Sequence, residues 1–280
     1  MLSNILKIKC VIMNQPSTEI KKTGIIVIQS LKKTERKTGT ELEQDVLRYK
    51  SYVDENSFVQ LYNAETKEAF ISTLKDIEAG MNDGEIFTLH LETHGGEDGI
   101  YLASGECVPW EEFFNCIRPM NIKMGHLLVV VMSMCKGAAI IAYMDPEERA
   151  PYRAFIGAHR DMYDDELARG FAAFYGEYSN PLDIVKGMDA LKAELSSTKE
   201  PDGPFWVLTC EQVFDMTFDA DRDPVNFAKI VDNAYMGRKL KGIECTRQSV
   251  EAEIRELYDK TKTEKKPYFC FEDIYPKENK

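Results

Sequence analysis

IFTLHLETHGGEDGIYLASGECVPWEEFFNCIRPMNIKMGHLLVVVMSMCKGAAI, residues 86–140, is the stretch on which the reading of the fold turns. It holds two short apolar runs that read as buried strands, Ile86–Leu91 and Leu127–Met132. Each is followed within a few residues by a side chain suited to nucleophilic or acid–base chemistry, and then by glycine. The first enters Thr93-His94-Gly95-Gly96, the second Ser133-Met134-Cys135-Lys136-Gly137. Parallel strands point one way, so their C-terminal ends share an edge, and open α/β sheets place ligands there. If the two runs are neighbours, His94 and Cys135 meet although 41 positions separate them (135 − 94). A Cys/His nucleophilic pair needs that juxtaposition.

Working outward, Gly24-Ile25-Ile26-Val27-Ile28 reads as the first core strand and Phe58–Tyr62 as another, with an edge strand at Ile5–Ile12. Ala64–Ala79 carries Ala69, Phe70, Leu74 and Ile77 at helical spacing, with Gly80 as a C-cap. Strand, helix and strand from Phe58 to Leu91 predict a right-handed parallel crossover. The charged segment Lys32–Glu43 reads as a loop fringing the active edge. Beyond His94, residues 97–108 predict a hairpin, and Pro109 opens a helix bearing Trp110, Phe113, Phe114 and Ile117. A helix over Gly137–Met144 would set its positive end beside Cys135. Ala154–Gly157 reads as a strand and Asp164 caps a helix through Tyr178, which Asn180-Pro181 ends. Phe205–Phe218 is ambiguous between strand and helix, and Pro224–Lys239 and Gln248–Lys260 read as helices. The expected fold is α/β: a mostly parallel sheet flanked by helices over residues 1–180, with a mainly helical extension over 181–280.

Composition bounds the function. A net charge of −12 argues against a nucleic-acid backbone or an anionic membrane as partner, because both require clustered cations. No apolar run approaches the ~20 residues of a membrane span, and Met1–Met13 lacks the cleavage site of a signal peptide. Seven cysteines, an odd number with no CxxC pair, suit free thiols in a reducing compartment, so a cytoplasmic protein is expected.

The motifs resemble those of the caspase-like cysteine peptidases (clan CD), especially the divergent bacterial members related to the CHAT domain. The resemblance rests on the strand into His94-Gly95, on Asp98-Gly99-Ile100-Tyr101-Leu102, on Gly105 to Glu112, and on Cys135-Lys136-Gly137. In strand and helix order it spans about residues 20–178. It implies a caspase-like fold and a cysteine endopeptidase acting on protein or peptide substrates through a His94/Cys135 dyad. It also implies a triggered effector of bacterial anti-phage or cell-suicide defence, switched on by a small molecule or a protein. The caspase signature places a glutamine where Ser133 stands and an arginine or glutamine where Lys136 stands. A caspase preference for aspartate therefore does not carry over.

In this reading Cys135 attacks the substrate carbonyl and His94 moves the proton. The backbone amides of Cys135 and, by the resemblance, Gly95 hold the oxyanion. Glu92, Ser133 and Asp161 are candidates for the substrate pocket, and nearby acids outnumber cations, so a basic or uncharged residue is expected before the cleaved bond. Asp98 reads as a hairpin-turn residue, with a second reading as a partner for His94. His90 reads as buried filler, and His159, beyond the Ala154–Gly157 strand, as a weaker substrate contact. No cofactor is expected, and no metal, since His90, His94, Cys107 and Cys116 follow no familiar ligand spacing. Two other functions compete: a catalytically silent sensor or adaptor binding a nucleotide or a protein, and a serine hydrolase resembling the Clp peptidases built on Ser133.

Overall fold

The computed structural model describes residues 19–178 and 184–275. The strand expected at Ile5–Ile12 and the break at Asn180-Pro181 lie outside them. The chain forms two compact units, one of residues 19–143 with Ala150–Thr209, the other of Met144–Arg149 with residues 210–275.

The first unit is an α/β sheet structure. Its strands are β1 (Lys22–Gln29), β2 (Ser57–Asn63), β3 (Glu85–Glu92), β4 (His94–Gly95), β5 (Gly99–Tyr101), β6 (Cys107–Pro109), β7 (Val129–Ser133), β8 (Ala154–Ala158) and β9 (Phe205–Thr209). Six of them form one sheet in the order β2-β1-β3-β7-β8-β9, parallel except for β9, which runs antiparallel to β8. The apolar runs of β1, β3 and β7 are buried almost throughout, as expected of parallel strands covered on both faces. From β1 the chain steps outward to β2, then crosses back to β3 on the other side of β1. That reversal makes a topological switch point at the C-terminal ends of β1 and β3. The remaining strands, β4, β5 and β6, fold into a small antiparallel sheet just past β3, where a hairpin was expected.

Helices flank the sheet: α1 (Thr38–Leu42), running through a π-helical turn (Glu43–Leu47) into α2 (Arg48–Val53), then α3 (Lys67–Gly80), α4 (Trp110–Lys123), α5 (Asp164–Glu177) and α6 (Ile184–Leu195). The segment expected as a loop, Lys32–Glu43, is thus a loop only to Lys37. Thr66 caps α3 by accepting from the Ala69 amide at 3.2 Å. Trp110, Phe113, Phe114 and Ile117 of α4 are buried, as their spacing predicted.

Two sequence expectations change. The segment after Cys135 is a 3₁₀ helix (Gly137–Tyr143), because its small residues lie flat on β8: a Cβ on Gly157 would come within 2.8 Å of the Gly137 carbonyl carbon. A single short 3₁₀ piece carries less dipole than the α-helix anticipated there. The ambiguous segment 205–218 is both things in turn, strand β9 and then helix α7 (Cys210–Thr217). Since β9 completes the sheet, the first unit takes in α6 and β9 and ends at Thr209, beyond the boundary the sequence suggests at 180.

The second unit is helical: α7, α8 (Pro224–Leu240) and α9 (Arg247–Phe269), which runs well past the expected end at Lys260. Phe227, Val231 and Val250 form its core, with Ile254 and Tyr258 packed against them.

Candidate functional site

The register of β3 on β7 pairs Leu91 with Met132 and Glu92 with Ser133. Beyond that pair the ladder ends: His94 enters the small sheet with its ring on Glu35, and the Cys135 sulfur is engaged by Met162. The chain is locked together there. A Cβ on Gly95 would lie 2.2 Å from the Cys135 carbonyl oxygen and 2.8 Å from the Met134 side chain, so only glycine fits. Thr93 adds a contact from its hydroxyl to the Met134 sulfur at 3.7 Å. The tertiary structure therefore brings the two sequence-nominated motifs into contact at the C-terminal edge of the sheet.

His94 is half exposed, and its ring Nε2 lies 3.1 Å from a Glu35 carboxylate oxygen. Glu35 stands in the β1–α1 loop, and the Lys32 amide donates to its other oxygen at 2.6 Å. Burial pushes the Glu35 carboxyl up, but the Lys32 amide and the His94 ring outweigh it, and the group ends below its ordinary value. An ionised carboxylate only accepts, so Nε2 carries the proton and Nδ1 is left to act as base. Sequence reasoning placed this loop at the active edge without singling out Glu35. Only the 59 positions closed by the fold make the pair visible. Asp98, the alternative partner, instead accepts from the Tyr101 hydroxyl at 2.9 Å within the small sheet.

Cys135 is half-buried, and Lys136 behind it adopts a left-handed φ of 53°. That turn points the Lys136 amide to the Arg160 carbonyl oxygen at 3.0 Å, while the Cys135 amide donates to no described residue and remains placed for an oxyanion. The Lys136 ammonium reaches Glu97 at 3.4 Å. The Cys135 sulfur accepts from the Met162 amide at 3.2 Å, and the Met162 carbonyl oxygen lies 3.6 Å away as an acceptor for the thiol.

No protein-family model and no curated protein matches this chain.

The pocket candidates fall in different places. Glu92 and Ser133 are side by side in register and buried, whereas Asp161 is exposed. Glu92 is engaged on both oxygens, by His90 Nε2 at 2.9 Å and by the Thr38 hydroxyl at 2.7 Å. The Ser133 hydroxyl is fully buried and has no hydrogen-bond partner among the described residues. His90 is buried, as read, but is more than filler: its Nδ1 meets the Tyr175 hydroxyl at 3.0 Å. His159 pairs with Glu200 at 3.2 Å and lies against Trp206. Arg153 is buried with a guanidinium nitrogen 3.1 Å from His126.

Proposed function

We propose that the chain is a caspase-like cysteine endopeptidase in which Cys135 is the nucleophile and His94 the general acid–base. The observation that carries this reading is the seating of Gly95 directly on the Met134-Cys135 backbone, with Glu35 fixing the far nitrogen of His94. In the reaction the Cys135 thiol gives its proton to His94 Nδ1 and its sulfur bonds the substrate carbonyl carbon. The negative oxygen that forms faces the Cys135 amide and, by the resemblance, that of Gly95. His94 then protonates the amine as the carbon–nitrogen bond breaks, and water, deprotonated by His94, hydrolyses the thioester. Glu35 steadies the imidazolium formed in each step. None of these steps requires a metal or a cofactor.

Ser133 supports the cysteine over the serine reading. It closes β7 with a fully buried hydroxyl, while Cys135, only partly buried, stands in the turn beyond. The substrate class is protein or peptide, with a basic or uncharged residue before the cleaved bond. Of the neighbouring cations, Arg160 is bound by Glu166 and Glu200, and Arg153 is buried. The wider role, a triggered effector of bacterial defence, comes from the resemblance alone. Among the described residues no helix is long and apolar enough to cross a membrane.

The test is cleavage of a peptide library by the wild type, Cys135→Ala, His94→Ala and Ser133→Ala. The first two variants should lose cleavage while keeping the wild-type circular dichroism, since neither opens a large core cavity. Ser133→Ala should retain it. Full activity in Cys135→Ala would refute the mechanism, and a profile dominated by aspartate would refute the charge assignment.

A further inference from the structure

We infer that residues 159–163 form a strap that holds the Cys135 sulfur out of reaction, with Arg160 as its clasp. The purpose of such a strap rests on the peptidase reading, although its existence can be tested without it. A thiol that attacks a carbonyl carbon must present its sulfur freely, and here the backbone of Met162 engages it in both directions, as donor at 3.2 Å and as acceptor at 3.6 Å. Met162 itself is buried, while its neighbours Asp161 and Tyr163 are exposed, so the strap meets the protein mainly through the residue that covers the sulfur.

The strap is fastened at both ends, at its far end by the Tyr163 amide donating to Glu166 at 3.1 Å. The His159 amide donates to the Pro204 carbonyl at 3.1 Å, and the Arg160 carbonyl accepts from the Lys136 amide at 3.0 Å. The Arg160 guanidinium then gathers four partners, one of them the Met162 sulfur at 3.2 Å. It donates to Glu200 at 3.1 Å, to Glu166 at 2.9 and 3.2 Å, and back to the Asp161 carbonyl at 2.7 Å, which curls the side chain under the strap it belongs to. Glu200, in the connection between α6 and β9, also pairs with His159, so one carboxylate holds two strap side chains. A restraint made of partly exposed ion pairs can be undone by a competing charge more readily than one made of apolar packing. The opposite role for Met162, an amide that favours the reactive thiolate, uses the same 3.2 Å contact and predicts the opposite result when the clasp is cut.

The experiment measures the rate at which iodoacetamide alkylates Cys135 in the full chain, by peptide mapping, for the wild type, Arg160→Gln and Glu200→Gln. Cys107 and Cys116, whose thiols burial pushes up, serve as internal references. With the clasp cut, Cys135 should react about 5- to 30-fold faster, while the reference cysteines keep their rates. Glu200→Gln keeps the side-chain shape, and it decides the matter should Arg160→Gln lose its circular dichroism. Unchanged or slower alkylation of Cys135 in a folded variant would overturn the strap. Faster alkylation in a chain that cleaves no peptide would uphold the strap and refute the peptidase reading, and cleavage without faster alkylation would do the reverse.

Discussion

Gly95 is the residue on which the site depends most directly, because its missing side chain is what lets β4 lie against the Met134-Cys135 backbone. Gly95→Ala places a carbon 2.2 Å from the Cys135 carbonyl oxygen, and backbone rather than a flexible side chain must give way. A shift on the scale of 1 Å can cost about 100-fold in rate, so on the proposed peptidase reading this variant should lose cleavage to that degree while binding substrate, read as a fall in kcat. Glu35 acts at one remove. Its bond to the imidazolium is charge-assisted, a class worth roughly 1.5–3 kcal/mol, and the half-exposed ring puts it at the weaker end. Glu35→Gln should therefore slow cleavage by about tenfold, since 1.4 kcal/mol is one decade. Unchanged cleavage in Glu35→Gln would leave Glu35 as a loop anchor only.

At the scale of elements, β3 organises the sheet unit through alternation. Thr88, His90 and Glu92 stand on one face, two residues apart, and each meets a partner from a covering helix or from the β1–α1 connection: Tyr178, Tyr175 and Thr38. Over them α5 lays Leu167, Phe171, Phe174 and Tyr175, with Phe171 edge-on to the His90 ring at 5.0 Å. Buried polar groups are tolerated because each is bonded. Phe171→Ala removes an aromatic side chain that is 1% exposed and should cost about 3–5 kcal/mol, read in urea or thermal unfolding. Tyr175→Phe keeps the volume but strands a ring nitrogen of His90, at a cost of about 1–3 kcal/mol. A loss in Tyr175→Phe as large as that in Phe171→Ala would mean that the polar ladder, and not the apolar stripe, fastens α5.

For the whole molecule, the acidic balance sets the response to pH. Among the described residues six carboxylates sit below their ordinary values, and three of them are the least exposed to solvent. Arg160 lowers Glu166, Arg149 lowers Asp273 within the helical unit, and for Glu35 the Lys32 amide and His94 overcome burial. A carboxylate with a depressed folded value contributes its full stability above its unfolded value, near 4.5 for glutamate and 3.8 for aspartate, and loses it as pH falls through the folded value. Urea unfolding should therefore be nearly independent of pH between about 5 and 7 and weaken steadily below about 4.5. Glu166→Gln should flatten part of that acid slope, and an unchanged slope would mean that the Arg160–Glu166 pair is equally formed in the unfolded chain.

Much of this was legible in the chain itself. Uninterrupted β-branched runs can be buried only on both faces, so Gly24–Ile28 and Leu127–Met132 had to be inner strands. The 3.6-residue spacing of Trp110, Phe113, Phe114 and Ile117 marked one buried helix face for the same reason. That the His94 and Cys135 motifs lie at one sheet edge was legible because each follows such a strand, and parallel strands share their C-terminal edge. Glu35 was not, since a carboxylate in a charged loop carries no periodic signal and its partner lies 59 positions away. The 3₁₀ form of Gly137–Tyr143 depended on the bare backbone of Gly157 beneath it. The contact between Met162 and the Cys135 sulfur depended on how β8 ends beside β7. Local pattern determines which face of an element is buried; which loops meet over the sheet edge is decided only when the strands take their order.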